Sequence, residues 1–459
     1  VNPSTFEQNV TFTARVSVSS PGAGSPSGTI EFFDGVTSLG TSSMSGDSAT
    51  LSTSALSVAT HSVTAQYSGN SSFDTSTSSA ASQVVNKAST TTAISSSVNP
   101  STFEQNVTFT ARVSVSSPGA GSPSGSIQFF DGVTSLGTSS MSGDSATLTS
   151  ALSVGSHTIT AQYLGNSSFN TSTSSSVSQT VNKANTTTTV SSSSNPSTYG
   201  SSVTFTAHVS GVTTTPTGSI EFFDGATSLG TVSMTGDSAT VTTSALTGGS
   251  HSITATYGGN GNYNGSTSSA LSQTVNKASS TTTVSTSNSS TVFGQSVTFT
   301  AHVSGVSATP TGSIQFFDGA TSLGTVSLSG DSAQVSTSSL SVASHSITAT
   351  YSGDANHRTS ISQLFNQSVT KIQTVTTLAS NNNPSVVGQN VTLISKVTHG
   401  STGSVEFFDG TNSLGSVNIV GDSALSTTSS LSVGSHSLTA VYNGDGTHFG
   451  SSSTAINQT

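Results

Sequence analysis

Hydrophobic and polar residues alternate along most of this chain in short runs. In SVTFTAHVS, beginning at Ser202, Val203, Phe205, Ala207 and Val209 share one face. In GSIEFFDG, Ile220 and Phe222 face one way and Glu221 and Phe223 the other. In HSITATY, His251, Ile253, Ala255 and Tyr257 alternate against Ser252, Thr254 and Thr256. A period of two is the signature of a half-buried β-strand. Between these runs stand turn residues: Asn195-Pro196, Asp224-Gly225, Gly236-Asp237 and a Gly/Asn cluster after Tyr257. TTTTVSSS from Thr186 opens the series, SLGTVSM with Leu229 inward and SATVTTSAL lie within it, and SALSQTVNK closes it. About seven short strands with turns every 8 to 12 residues predict an immunoglobulin-like sandwich. No segment has helical periodicity.

The whole series returns five times. The aspartate of the FFDG run falls at Asp34, Asp131, Asp224, Asp318 and Asp409, at intervals of 97, 93, 94 and 91 residues. That period is too long for a solenoid unit and right for a small domain. VNK-type closing sequences place the boundaries after Lys87, Lys183, Lys277 and Lys371. The units are therefore 1–87, 88–183, 184–277, 278–371 and 372–459. Unit one lacks the opening strand that the others carry, and unit five stops short of VNK. The chain reads as a window from a longer array. Donor-strand polymerisation, with unit one completed by another chain, is the alternative. Linkers are almost nil, so the fold expected is all-β: five tandem Ig-like sandwiches in an elongated rod.

Composition narrows the function. Only 6% of the 459 residues are charged, with 18 acids against 8 bases and a net charge of −10, so no basic face for nucleic acid exists. Cysteine is absent, which rules out disulfides and thiolate metal sites. No apolar run reaches the roughly 18 to 20 residues of a membrane helix, so no membrane insertion is expected within this segment.

Taken together, I-x-F-x-D-G, L-G-T, H-S-I-T-A-x-Y-x-G and S-x-S-Q-x-V resemble the bacterial Ig-like repeat domains of very large secreted and surface proteins. The resemblance covers all five units. Unit five departs most, with Leu393 in place of phenylalanine and Lys396 in place of arginine or histidine. It implies a non-enzymatic, extracellular structural module: a stalk, an adhesin shaft or the body of a fibre. The partners implied are flanking repeats and, in a fibre, identical chains.

Candidate chemistry is sparse. Ser, His and Asp occur without a G-x-S-x-G elbow, so no catalytic residue is assigned. The outward phenylalanines Phe33, Phe130, Phe223, Phe317 and Phe408, each beside an Asp-Gly turn, are candidate surface contacts, for glycans or for other chains. Calcium is the one cofactor to weigh, because it stiffens many Ig-like shafts. Its candidate ligands are Asp318, Asp331 and Asp354 in unit four and Asp409, Asp422 and Asp445 in unit five. Unit two carries Asn166 and unit three Asn260 in place of the third acid, and no D-x-D-x-D loop appears. The histidines His61, His157, His251, His345 and His436 stand singly, and read as strand-entry residues bonded to backbone. Lysines 87, 183, 277 and 371 read as solvated edge residues. Asn70, Asn166, Asn264 and Asn288 lead the glycosylation sequons.

Overall fold

The computed structural model describes every residue of the chain except Val306. Unit three sets the pattern, with strands numbered within the unit. They are β1 (Thr187–Ser192), β2 (Ser197–Thr198), β3 (Val203–Ser210), β4 (Ser219–Asp224), β5 (Thr227–Ser233), β6 (Ser238–Thr243), β7 (Gly249–Tyr257), β8 (Ser266–Thr267) and β9 (Leu271–Asn276). One sheet runs β1-β3-β6 and the other β2-β9-β7-β4-β5, with β8 on β7. All pairs are antiparallel except β2 with β9, where Ser197 lies opposite Val275. This is a two-sheet Ig-like sandwich.

The alternation decides which side faces in. Phe205, Ala207, Ile220, Phe222, Ile253, Ala255 and Tyr257 are fully buried, and Val203 and Val209 nearly so. Between β4 and β5 the register slips after Phe222, which pairs with Gly230 while Phe223 pairs with Ser228. Leu229 is the extra residue, and the bulge turns it toward the core it packs against. The sequence reading centred the adjoining turn on Asp224-Gly225. The central pair is instead Gly225-Ala226, because Asp224 still pairs with Thr227. Gly225 has φ +56°, the first-position glycine of a type II′ hairpin, which suits strand twist.

The other units repeat this plan with local departures. Unit one has no β1, so its smaller sheet has two strands, Val10–Arg15 and Ser48–Thr53. A groove of about 480 Å³ opens there over Phe12, Ala14, Ile30 and Phe32. Unit five exchanges polarity across its β3: Ser395 is fully buried where unit three has Ala207, and Ile394 faces outward where unit three has Thr206. The Ser395 hydroxyl has no hydrogen-bond partner.

Candidate functional site

The repeated FFDG motif and the repeated histidine form one arrangement. Asp224 ends β4 and His251 lies near the start of β7, its neighbour in the sheet. His251 Nδ1 donates to Asp224 Oδ2 at 2.7 Å, and Nε2 lies 2.9 Å from the Thr247 carbonyl. Units one, two, four and five repeat this in His61–Asp34, His157–Asp131, His345–Asp318 and His436–Asp409, at 2.5 to 2.7 Å. A carboxylate and a carbonyl can only accept, so only the doubly protonated ring satisfies both. Burial pulls the His251 pKa down, but the Thr247 carbonyl and Asp224 outweigh it, and the net shift is upward. In sequence the histidine reads as bonded to backbone and the aspartate as turn chemistry. The two are instead partners, 27 residues apart, and the backbone contact is only half of the histidine's bonding.

The candidate calcium ligands disperse among separate partners. Asp318 and Asp409 belong to the pairs just described. Asp331 faces the exposed His302, and Asp422 faces His399. Asp354 and Asp445 organise the β7–β8 loops of units four and five. Among the described residues, no three His, Asp or Glu side chains gather as a metal would require. In units one to three, Asn70, Asn166 and Asn260 do the same loop work. Each accepts two loop N–H groups and donates to the carbonyl of Ser27, Ser124 or Thr217. The sequon residues Asn70 and Asn166 are thus held by their own loops. Asn264 bonds Asn185, and the exposed Asn288 accepts from the Ser290 N–H. The outward phenylalanines Phe33, Phe130, Phe223, Phe317 and Phe408 are half-buried in every unit, each next to an aspartate already held by histidine.

The remaining chemistry lies at the joints between units. Ala184 pairs with the β7–β8 loop of unit three: its N–H bonds Asn262 O at 3.0 Å and its carbonyl accepts from Asn264 N at 2.9 Å. Ala88, Ala278 and Ile372 do the same in units two, four and five. The boundary lysines donate to carbonyls of that loop in the next unit: Lys87 to Asn166, Lys183 to Asn260, Lys277 to Asp354 and Lys371 to Asp445. Read from sequence as solvated, Lys87, Lys183 and Lys277 are indeed exposed and Lys371 is half-buried, and each also clasps the carbonyl that the following unit brings to its amine.

Rings add to this clasp. Phe6 of unit one meets Phe169 of unit two edge-on at 5.5 Å, and Phe103 of unit two meets Tyr263 of unit three in the same way. Tyr199 of unit three meets His357 of unit four at 5.3 Å. Beside Phe103, Glu104 reaches across the joint. Its carboxylate accepts the Thr213 and Thr214 N–H groups at 2.9 Å, the Tyr263 hydroxyl at 2.6 Å and both threonine hydroxyls. Burial raises the Glu104 pKa, but the bonds from Thr213, Thr214 and Tyr263 prevail and hold it at about 2. Glu104 sits at φ +69°, a conformation that glycine holds in unit three as Gly200 and in unit four as Gly294. A non-glycine residue there stores strain, and the clamp offsets it.

A family model described as bacterial Ig-like domain (group 3) matches residues 1–86, 94–182, 189–276, 283–370 and 377–459. The chain belongs to this family. No curated protein matches it. Among solved structures, a Ca2+-stabilized adhesin that helps an Antarctic bacterium reach out and bind ice aligns at 12% identity and TM-score 0.31, over 81% of this chain and 99% of that one. Fibronectin(III)-like modules of Clostridium thermocellum CbhA align at 14% identity and TM-score 0.18, over 38% and 91%. The ectodomain of mouse nectin-like molecule 4 aligns at 12% identity and TM-score 0.23, over 60% and 98%. At these values the likenesses carry no argument about this chain.

Two residues with structural roles in this bacterial Ig-like chain escaped the sequence reading. Gln273, fully buried, donates to Ser197 Oγ at 3.2 Å and accepts from Ser192 Oγ at 2.7 Å, tying β9 to the ends of β1 and β2. Its recurrence in the S-x-S-Q motif was a signal, since a glutamine inside an apolar alternation needs a polar partner. Glu104 carried a weaker one: glutamate in units one and two stands where units three to five have glycine.

Proposed function

We propose that this chain is a spacer of an extracellular bacterial surface protein, the shaft between an anchor and a distal part. One observation carries the reading: each of the four boundary lysines is bonded to the unit that follows it. The first residue of each following unit is hydrogen-bonded to that unit's own β7–β8 loop, and the boundary lysine before it donates to the same loop across the joint. Joints built this way restrict bending, which a spacer needs and a set of independently tethered binding modules does not. The function is mechanical: five sandwiches in series hold a distance. The weak negative charge and the abundance of Ser and Thr outside the core favour a solvated shaft. Negative-stain electron microscopy of the isolated chain tests this. Single thin rods of uniform length are expected. Bent necklaces of beads would overturn the spacer reading, and lateral filaments would replace it with self-assembly.

A further inference from the structure

The four joints share a pivot and differ in their bracing. At each boundary the residue before the lysine is tied to the preceding unit and the residue after it to the following one. Thr370 O, for example, accepts from Phe293 N, while Ile372 N donates to Thr447 O, which leaves Lys371 between them. In the first three joints the β3–β4 loop of the following unit also reaches the turn after β2 of the unit before it. The Ala120 N–H of unit two donates to the Phe6 carbonyl at 3.3 Å, and Thr213 and Thr214 of unit three hold Glu104. Ser307 of unit four fills the space that a Cβ on Gly200 would need. That third joint is further tied by Gly248 N–H to Asn356 Oδ1 at 2.8 Å and by Arg358 Nε to the Lys277 carbonyl at 3.2 Å.

The last joint is built with less. Among the described residues, the Lys371 bond to the Asp445 carbonyl is the one hydrogen bond that crosses from unit four to unit five, and no ring pair accompanies it. Gly294, the counterpart of Gly200, has open space where a Cβ would lie. The aromatic position after β2 changes sides as well. Phe6 and Phe103 pack against the cores of the units that follow them, whereas Phe293 packs against the core of its own.

Loop length supplies the cause. Eleven residues separate Val113 from Gly125 in unit two, and eight separate Val209 from Gly218 in unit three and Val303 from Gly312 in unit four. Only five separate Val397 from Gly403 in unit five. At about 3.3–3.6 Å per residue, three fewer residues take roughly 5 Å from the reach of a loop that goes out and returns. The short loop is also drawn back onto its own unit, because His399 Nδ1 and the Gly400 N–H both bond the Asp422 carboxylate. In units two to four the equivalent aspartates, Asp144, Asp237 and Asp331, face Arg112, His208 and His302 on β3 instead.

We propose that the joint between units four and five is the hinge of this array: units one to four move as one stiff segment, and unit five swings about Lys371. Units joined without a large contact move relative to one another, and only here is the loop contact missing. The proposal concerns the relative stiffness of the joints and stands whether or not the chain serves as a spacer.

The chain has no cysteine, so pairs of spin labels report one joint at a time. Thr147→Cys with Thr240→Cys spans the joint between units two and three, and Gln334→Cys with Leu425→Cys spans the last joint. All four residues are exposed and hold equivalent positions on β6. Double electron–electron resonance on the full chain should give a distance distribution at least twofold broader across the last joint. The F103A/E104G variant strips the ring and the clamp from the joint between units two and three. It should broaden that pair toward the width of the last joint and leave the last joint unchanged. Should it misfold, Glu104→Gly alone serves, since glycine accepts the positive φ there, and it should broaden the same pair in part. Equal widths at the two joints overturn the proposal. So does a width between units two and three that neither variant changes.

Discussion

Ser395 isolates the cost of one misplaced hydroxyl. It is fully buried with no partner, at the position held by Ala111, Ala207 and Ala301 in units two to four. An orphaned buried polar group costs roughly 1–3 kcal/mol, so Ser395→Ala should stabilise unit five by about that amount. A calorimetric scan in which the unit-five transition fails to rise would refute this. The His–Asp pairs set a pH limb. His251 has a raised pKa in the folded state, so its stabilisation is complete below about 6.5, the ordinary histidine value, and is lost as pH rises through the higher folded value. His61, His157, His345 and His436 shift the same way. The unit-three transition should therefore decline in temperature from pH 6 to pH 9, and His251→Gln should flatten that decline in unit three while leaving the other units' transitions unchanged. An unchanged slope in the variant would mean that the pair does not titrate.

Among the elements, the turn after β2 gives the sharpest test. In unit two, Phe103 and Glu104 extend from it into unit three. Glu104→Ala keeps a positive φ on a side chain that has lost its clamp. Glu104→Gly loses the same bonds but relieves about 1–2 kcal/mol of left-handed strain. The expected order of thermal stability is native, then Glu104→Gly, then Glu104→Ala. The loss in the last case is roughly 1.5–3 kcal/mol, the worth of hydrogen bonds to a charged group. Small-angle scattering should show a larger spread of unit two–unit three angles in both variants. Equal stability of glycine and alanine variants would show that Glu104 carries no strain. Because the Glu104 pKa is held down at about 2, the clamp's contribution is complete above about 4.5 and fades as pH falls through 2.

At the scale of the whole molecule, every inter-unit ring contact and hydrogen bond among the described residues joins neighbours in sequence. Stability is then nearly a sum of unit and joint terms. Unit five combines the orphaned Ser395 hydroxyl with Leu393 where the other units have phenylalanine. Hydrogen exchange should find its β3 and β7 strands less protected than those of units two to four. Protection in unit five equal to that of unit three would contradict this.

The sequence by itself determined the repeat, the sandwich and the inward face of each strand. A two-residue period against a fixed pleat leaves one assignment that buries Phe205, Ile220, Phe222 and Tyr257. It also marked Gly225 and Gly236 as turn residues, because their conformations are local. Tertiary structure alone decided what the polar residues do. Asp224 finds His251 only because β4 and β7 become neighbours in a sheet, and Lys183 finds Asn260 only because one sandwich seats on the next. Such partners lie dozens of residues apart, and no local pattern encodes a distance in space. Their hydrogen bonds are directional, unlike apolar burial, so they are specified only once the backbone positions are fixed.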